Sequence, residues 1–186
     1  DADLRVWDVA SGKLQQRLKG HDAGVTSIAV ANNGVDFASG GADGRIITWR
    51  FANQASIARR QLDIEAHSGL TFDVEFNASG SELYSGGGDG LVRLWDTKNG
   101  SALGVLSGHR GDVTALATTK GGRFLLSGGE DRSVRIWDLE QRRQVQFIAT
   151  NVGNIYTLAL SPSGKRLAVS GSGETVQILR LDLPTG

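Results

Sequence analysis

A serine, a histidine and an aspartate that could hydrolyse a substrate lie close together in the third quarter of the chain. They are His109, Ser127 and Asp131, in that order along the sequence. In a hydrolase of this kind the histidine takes the proton from the serine hydroxyl, and the aspartate holds the histidine in the correct tautomer. These residue types could therefore form a catalytic triad if the fold brings them together.

The same residue types recur at the same spacing elsewhere in the chain. In three successive units a histidine is followed by a serine, an aspartate and a tryptophan, and each interval between them is identical in all three units. The three sets are His21, Ser39, Asp43 and Trp49, then His67, Ser85, Asp89 and Trp95, then His109, Ser127, Asp131 and Trp137. One active site needs one triad, so the repetition favours a structural role. We therefore predict no catalytic residues and no enzymatic activity.

Short apolar runs between glycine-rich turns must position these residues. Glycine accounts for 26 of the 186 residues and clusters between the apolar runs. After His109 the unit reads as four strands, VTALAT (113–118), RFLLSG (123–128), SVRIWD (133–138) and QVQFIA (144–149). We find no sustained apolar stripe of helical period, so the sequence predicts an all-β protein.

Charge, cysteine content and hydropathy exclude several classes of site. The formal net charge is zero, which gives no long-range attraction to nucleic acid or acidic lipid. The chain has no cysteine and no apolar run of about 18 residues, so we expect no thiolate metal site and no membrane insertion. The glycine-rich runs at 39–44, 85–90 and 170–174 lead into strands rather than helices. We therefore predict no bound nucleotide. His21, His67 and His109 lie in different repeated units and cannot share a metal ion, so we also predict no metal and no other cofactor.

The repeated unit resembles the WD40 repeat. The resemblance is carried by LKGH (18–21), LSGH (106–109), LVRLWD (91–96) and SVRIWD (133–138), and by the nearly even spacing of Trp7, Trp49, Trp95 and Trp137. WD40 repeats form the four-stranded blades of a β-propeller. The resemblance implies a hydrogen-bonded network in each blade, in which the tryptophan donates to the serine, the serine reaches the histidine, and the histidine reaches the aspartate of a tight turn.

The resemblance also divides the chain into blades. Residues 1–20 are expected to form a partial blade, residues 21–66, 67–108 and 109–150 three blades, and residues 151–186 a degenerate, incomplete blade. The extra residues between Trp49 and His67 predict an extended hairpin between the third and fourth strands. We predict a WD40-type β-propeller, present as a partial propeller of about four to five blades. The favoured interpretation is a segment of a larger ring of about seven blades. The alternative is an open arc that closes on a second copy or on another chain.

One rim of such a propeller is expected to bind partners. The resemblance places there the loops that enter the first strand and those that join the second and third strands. The candidate partner-binding residues are Phe72, Arg110, Asp112, Arg132 and Tyr156. An exposed aromatic ring beside charged neighbours can anchor a partner. The alternative is that both rings pack between blades.

These expectations lead to a prediction of function. We predict a non-catalytic scaffold that mediates protein–protein interaction or complex assembly through the propeller rim. The alternative is a regulatory or sensor domain attached to an enzymatic or signalling domain outside this segment. The expected partners are other proteins or peptides, the remaining blades of the same protein, or a second copy, and no nucleic acid. We expect a cytoplasmic location, with the nucleus or another intracellular compartment as the alternative.

Overall fold

A computed structural model describes residues 1–52 and 57–183 of the protein. This part of the chain contains no helix, and the prediction of an all-β protein is confirmed. The strands are β1 (Asp3–Asp8), β2 (Lys13–Lys19), β3 (Val25–Val30), β4 (Asp36–Gly41), β5 (Arg45–Phe51), β6 (Ala58–Glu65), β7 (Thr71–Phe76), β8 (Glu82–Gly87), β9 (Leu91–Asp96), β10 (Ala102–Ser107), β11 (Val113–Thr118), β12 (Phe124–Gly129), β13 (Ser133–Asp138), β14 (Arg143–Ala149), β15 (Ile155–Leu160), β16 (Arg166–Gly171) and β17 (Val176–Arg180).

The strands form five antiparallel sheets in chain order. Sheet 1 contains β1 and β2, sheet 2 contains β3–β6, sheet 3 contains β7–β10, sheet 4 contains β11–β14, and sheet 5 contains β15–β17. Strands that are consecutive in the chain are neighbours in the sheet, so each sheet is a simple meander. The blade boundaries predicted after residues 20, 66, 108 and 150 fall in the connections between sheets.

The longest hairpin lies between Trp49 and His67, where the sequence predicts an extended connection. Strands β5 and β6 pair from Arg45 and Glu65 to Phe51 and Ala58. Residues 53–56 of the connection lie outside the described residues.

Tight turns between the second and third strands require a left-handed backbone. Gly44 and Gly90 adopt φ angles of +78° and +75° in these turns. A Cβ atom at position 44 would lie 2.5 Å from the carbonyl oxygen of His67. At the same place in sheet 4 stands Arg132, with φ of +61°. A residue other than glycine in this conformation costs roughly 1–2 kcal/mol. Arg132 therefore replaces the glycine of the other two turns at a cost in stability, and the turn itself does not require an arginine.

The sheets pack face to face and form the core between them. Between sheets 2 and 3, Ala38 and Ile46 pack against Val74 and Leu83, and each is at most 2% exposed. Similar apolar clusters lie between sheets 1 and 2, sheets 3 and 4, and sheets 4 and 5. Fully burying one large aliphatic side chain stabilises the fold by about 1.5–3 kcal/mol, so these interfaces supply the main driving force.

The five sheets form a partial propeller that is not closed. The first strand of each of sheets 2 to 5 lies beside the first strand of its neighbour, so that β3, β7, β11 and β15 are the innermost strands. Each of these strands begins with a β-bulge. On the other face of sheet 5, Val176 and Ile178 are each 62% exposed. The number of blades in a complete ring stays a prediction.

Candidate functional site

In sheet 3 a chain of hydrogen bonds joins the four residues of the repeated set. Trp95 Nε1 donates to Ser85 Oγ at 2.9 Å, and Ser85 Oγ lies 2.8 Å from His67 Nε2. His67 Nδ1 lies 2.9 Å from Asp89 Oδ1. His67 Nδ1 also lies 2.7 Å from Arg93 Nη1. We assign the proton to His67 Nδ1, which then donates to Asp89, an acceptor only, while the Ser85 hydroxyl donates to Nε2. Each polar group therefore has a partner.

The same contacts recur in sheets 2 and 4. In His21, Ser39, Asp43 and Trp49 the tryptophan–serine, serine–histidine and histidine–aspartate distances are 3.0, 2.8 and 3.0 Å. In His109, Ser127, Asp131 and Trp137 they are 2.8, 2.7 and 3.0 Å. The structure thus brings together all the residues of each set within one sheet and its entering loop.

Burial and hydrogen bonding set the charge states of these networks. Burial lowers the pKa of His67 and of His109, although the aspartates that face them act in the opposite direction. Burial alone would raise the pKa of Asp131, but hydrogen bonds from Ser133, His109 and the backbone of Arg110 outweigh it and lower the pKa to about 2. At neutral pH both imidazoles are therefore neutral and the carboxylate is charged.

In the folded protein a substrate cannot reach the hydroxyl group of any of the three network serines. Ser39, Ser85 and Ser127 are 0% exposed. Each hydroxyl oxygen already accepts an indole N–H and faces a histidine nitrogen. The serine therefore joins the second and third strands of its sheet to the entering loop.

The aspartate of each network also holds the loop that follows the histidine. Asp43 Oδ2 accepts a hydrogen bond from the backbone N–H of Asp22 at 2.9 Å. Asp131 Oδ2 accepts one from the backbone N–H of Arg110 at 3.1 Å. In sheet 4 the network thus fixes the loop backbone that carries Arg110, one of the predicted partner-binding residues.

Two arginines extend the network beyond the residues predicted from the sequence. Arg93 Nη1 donates to Asp89 Oδ2 at 2.6 Å. Arg135 Nη2 lies 3.5 Å from Asp131 Oδ2, and its guanidinium carbon lies 5.1 Å from the centre of the Phe147 ring. The signal in the sequence is an arginine that precedes the tryptophan at the same position in LVRLWD and SVRIWD.

Sheet 5 has different residues at the four network positions, namely Asn151, Val169, Gly173 and Leu179. Val169 is fully buried, and Leu179 packs against the apolar cluster between sheets 4 and 5. Asn151 is exposed. Apolar packing therefore replaces the polar network in this sheet.

Two acidic residues on β7 connect neighbouring sheets. Asp73 accepts hydrogen bonds from Ser27 Oγ at 2.7 Å and from the backbone N–H of Leu116 at 2.8 Å, so it links sheets 2, 3 and 4. Glu75 accepts one from Thr118 Oγ1 at 3.0 Å. Burial raises the pKa of both carboxyl groups. In the sequence these two residues are recognisable only as acids at alternate positions of TFDVEF (71–76). This pattern does not reveal the groups with which they form hydrogen bonds.

Three of the predicted partner-binding residues meet at the rim of sheet 4. The loop that carries Arg110 and Asp112 lies against the turn that carries Arg132, because the backbone N–H of Glu130 donates to the carbonyl oxygen of Asp112 at 2.9 Å. Arg110, Glu130 and Arg132 are exposed, and Asp112 is half-buried. The corresponding positions in sheets 2 and 3 are Asp22, Gly24, Ala42 and Gly44, then Ser68, Leu70, Gly88 and Gly90. Sheet 4 therefore carries more charge on this rim than its neighbours do.

The two predicted aromatic anchors differ in exposure. Tyr156 is 63% exposed, and its strand is held beside sheet 4 by a hydrogen bond of 2.5 Å from Thr114 Oγ1 to the carbonyl oxygen of Ile155. Phe72 is half-buried and lies against Gly88. The ring of Tyr156 is therefore accessible to solvent, whereas Phe72 packs within its own blade.

Residues 1–52 and 57–183 contain neither a candidate metal site nor a candidate membrane-spanning helix. Within these ranges no group of three or more histidine, cysteine, aspartate or glutamate residues is placed to hold a metal ion. The same ranges contain no helix with the length and apolar character needed to cross a membrane.

Comparison with known proteins follows the repeat seen in the structure. A family model described as "WD domain, G-beta repeat" matches residues 12–50, 59–96 and 100–138, which together are more than half of the chain. Each match begins near the outer strand of one sheet and ends in the third strand of the next. Each repeat in the sequence therefore contributes strands to two sheets and couples them covalently.

Several curated proteins are similar to parts of this chain. The CCR4-associated factor 4 homolog of Candida glabrata is 32% identical over 140 residues, covering 62% of this chain and 24% of the relative. The cell division cycle 20.1 protein of Arabidopsis thaliana, described as a cofactor of the APC complex, is 34% identical over 127 residues, covering 63% and 26%. The guanine nucleotide-binding protein subunit beta of Saccharomyces cerevisiae is 28% identical over 118 residues, covering 63% and 28%. The aligned parts are about a quarter of the length of these relatives.

Proposed function

The chain belongs to the WD40-repeat family, and from this premise we propose that it is a non-catalytic scaffold that binds protein partners on one rim of its sheets. The rim is formed by the loops that enter the first strands and the turns between the second and third strands. The expected partners are proteins or peptides rather than nucleic acid. A cytoplasmic location and a link to an enzymatic or signalling domain stay predictions.

The observation that carries this proposal is the departure of sheet 4 from the repeat. Arg110 and Arg132 are exposed at positions where the other two complete sheets have aspartate, serine or glycine. Arg132 also keeps a left-handed backbone that glycine would adopt at lower cost. A strained residue with an exposed guanidinium on a rigid rim is typical of a binding surface.

The polar networks support the same function. They hold the loop backbone through Asp131 and its equivalents, so the rim is ordered before a partner arrives. Preorganisation lowers the entropy cost of binding, and a few anchors such as Tyr156 can then supply most of the affinity. The relatives are consistent with such a role, since one of them is described as a cofactor of a complex.

The proposal is tested with rim variants that leave the fold intact. Arg110→Ala and Tyr156→Ala remove exposed side chains, and Arg132→Gly removes a guanidinium where glycine fits the backbone. Arg59→Ala, on the exposed outer strand β6, is the matched control. We expect each variant to keep its free energy of unfolding within about 0.5 kcal/mol or, for Arg132→Gly, to gain up to about 1 kcal/mol.

Partner binding is measured by affinity capture with quantitative mass spectrometry, followed by titration of each purified candidate. We expect proteins that bind the wild type and the Arg59→Ala control but bind at least about tenfold more weakly to the rim variants. If the rim variants retain the same partners at the same affinity, the binding surface lies elsewhere. If they lose stability as strongly as binding, their role is structural and the proposal fails.

A further inference from the structure

A groove of about 830 Å³ lies between sheets 4 and 5, at the end of the strands opposite to the rim. Its walls are the β11–β12 turn, the β15–β16 turn and the chain that follows β17. Because β11 runs from the rim to this turn over its full length, the two surfaces are about 20 Å apart. The groove is therefore a separate surface from the rim.

The glycine of the β15–β16 turn, on one side of the groove, lies clear of the preceding turn. In sheets 3 and 4 the glycine of each such turn faces the preceding turn. A Cβ atom on Gly80 would lie 3.6 Å from Ala31, and one on Gly122 would lie 3.9 Å from Ala78. At the equivalent Gly164 in sheet 5 a Cβ atom would have no neighbour within 4 Å. Gly164 thus leaves open space on its side of the groove, whereas Gly80 contacts the preceding turn.

The turns on the two sides of the groove carry several positively charged side chains. The groove is lined by Lys120, Arg123, Lys165 and Arg180, with Asp182 as its acidic residue. The turns of sheets 2 and 3 instead read ANNGV (31–35) and NASGS (77–81), which contain no charge. The chain as a whole has zero net charge, so this concentration is local.

The cations differ in how they are held. The guanidinium of Arg123 bonds Asp138 at 3.2 Å and lies 5.0 Å from the centre of the Phe124 ring. Arg180 lies 3.6 Å from Asp182, and both side chains are highly exposed. Lys120 and Lys165 are exposed and form no side-chain hydrogen bond or ion pair within the described part of the chain. These two ammonium groups are therefore free to meet an anion.

The backbone beneath the two lysines is ordered. Thr119 Oγ1 accepts the backbone N–H of Phe124 at 3.1 Å, which closes the β11–β12 turn. The carbonyl oxygen of Lys165 accepts the backbone N–H of Leu181 at 2.9 Å, which ties the β15–β16 turn to the chain after β17. The two lysine side chains thus project from backbone segments that hydrogen bonds hold in place.

We propose that this groove binds an acidic peptide segment, rich in aspartate or glutamate and carrying at least one apolar side chain. Lys120 and Lys165 would bind two carboxylates, and the apolar residue would contact Leu183, which lines the groove and is half-buried. A single-stranded nucleic acid fits less well, because stacking needs an exposed ring and Phe124 is only 5% exposed. The groove would add a second contact for a partner, or a site for a second partner, independent of the rim.

The experiment is a fluorescence anisotropy titration of the protein with a short labelled peptide of glutamates and leucines at low salt. The comparison peptide has glutamine in place of every glutamate. We expect saturable binding of the acidic peptide with a dissociation constant below about 1 mM, and none of the neutral peptide. We expect affinity to fall as salt rises.

A double variant tests the location of the site. Lys120→Gln with Lys165→Gln should weaken binding at least about tenfold, because each lysine contributes a charge-assisted hydrogen bond. The matched control is Lys13→Gln with Lys98→Gln, which removes the same charge from other exposed positions and should leave binding unchanged. Both double variants should melt at the wild-type temperature.

Three results would overturn the proposal. The first is no binding of the acidic peptide. The second is an equal loss of affinity in the control variant, which would indicate general electrostatic attraction. The third is tighter binding of a labelled single-stranded RNA of equal charge, which would assign the groove to nucleic acid. The rim variants Arg110→Ala and Tyr156→Ala should not alter this titration, so failure here leaves the proposed rim function untouched.

Discussion

Replacement of Ser127 by alanine isolates the energetic role of one network. The change removes the acceptor of the Trp137 indole N–H, which lies 2.8 Å away, and the donor to His109 Nε2, which lies 2.7 Å away. Both groups then stay buried without a partner. Leaving one buried polar group unsatisfied costs about 1–3 kcal/mol, so we expect a loss of about 2–6 kcal/mol for the two groups. This is a large part of the stability of an ordinary domain.

The assay must report the stability of each sheet separately, because proteins built from stacked modules do not always unfold in a single step. Hydrogen exchange of the indole N–H groups, followed by NMR, reports each network separately. We expect the indole of Trp137 to exchange at least about tenfold faster in the variant, whereas Trp49, two sheets away, should change little. Urea denaturation gives the total loss in the same sample.

Ser101→Ala is the matched control, because Ser101 is exposed and its hydroxyl forms no hydrogen bond within the described residues. Its free energy of unfolding should stay within about 0.5 kcal/mol of the wild type. A Ser127→Ala variant as stable as this control, with unchanged exchange at Trp137, would refute the structural role of the serine. The resemblance of the set to a catalytic triad would then need another explanation.

Two further predictions concern pH and the tight turns. Stability should fall as the pH drops below about 6.5, because burial lowers the pKa of His67 and His109 and the unfolded chain takes up protons that the folded chain does not. A second loss of stability should begin below about pH 4, as the pH approaches the pKa of Asp131 of about 2. Urea denaturation midpoints between pH 8 and pH 3 measure both losses. Because protonation of the buried Asp73 and Glu75 acts in the opposite direction, the histidine prediction is checked by NMR titration of the two rings, and pKa values of His67 and His109 at or above 6.5 would contradict it. Gly44→Ala should cost at least about 3 kcal/mol, because the new Cβ would lie 2.5 Å from a carbonyl oxygen. Gly90→Ala should cost about 1–2 kcal/mol, because there the nearest carbonyl oxygen is 3.2 Å away. Equal urea midpoints for these two variants would show that the backbone conformation, rather than the contact, sets the cost.

The repeat in the sequence carries enough information to predict the fold. The constant spacing of histidine, serine, aspartate and tryptophan predicts modules of equal construction, and the glycine-rich turns between short apolar runs predict strands. Each of these signals is local in the chain. The strand order follows because consecutive strands joined by tight turns must pair with each other.

Contacts between modules are not predicted by the same pattern. Asp73 binds a hydroxyl in the preceding sheet and a backbone N–H in the following one, and neither partner has a fixed spacing from it in the repeat. The groove beside Lys120 and Lys165 depends on the distance between two turns, which a pattern within one module does not encode. Arg93 could have been found, because it occupies a constant position relative to Trp95, but its partner Asp89 becomes evident only from the geometry.

Departures from the repeat are the residues most informative about function. The recurring histidine, serine, aspartate and tryptophan are explained by packing and by the polar network. Sheet 4 keeps its complete network yet differs at both ends, with Arg110 and Arg132 at the rim and Lys120 beside the groove. None of these side chains is needed for the core, since all three are exposed. A rigid module with distinct charged residues at its two ends can hold two segments of a partner, or two partners, at a fixed distance, and this is the physical basis of a scaffold.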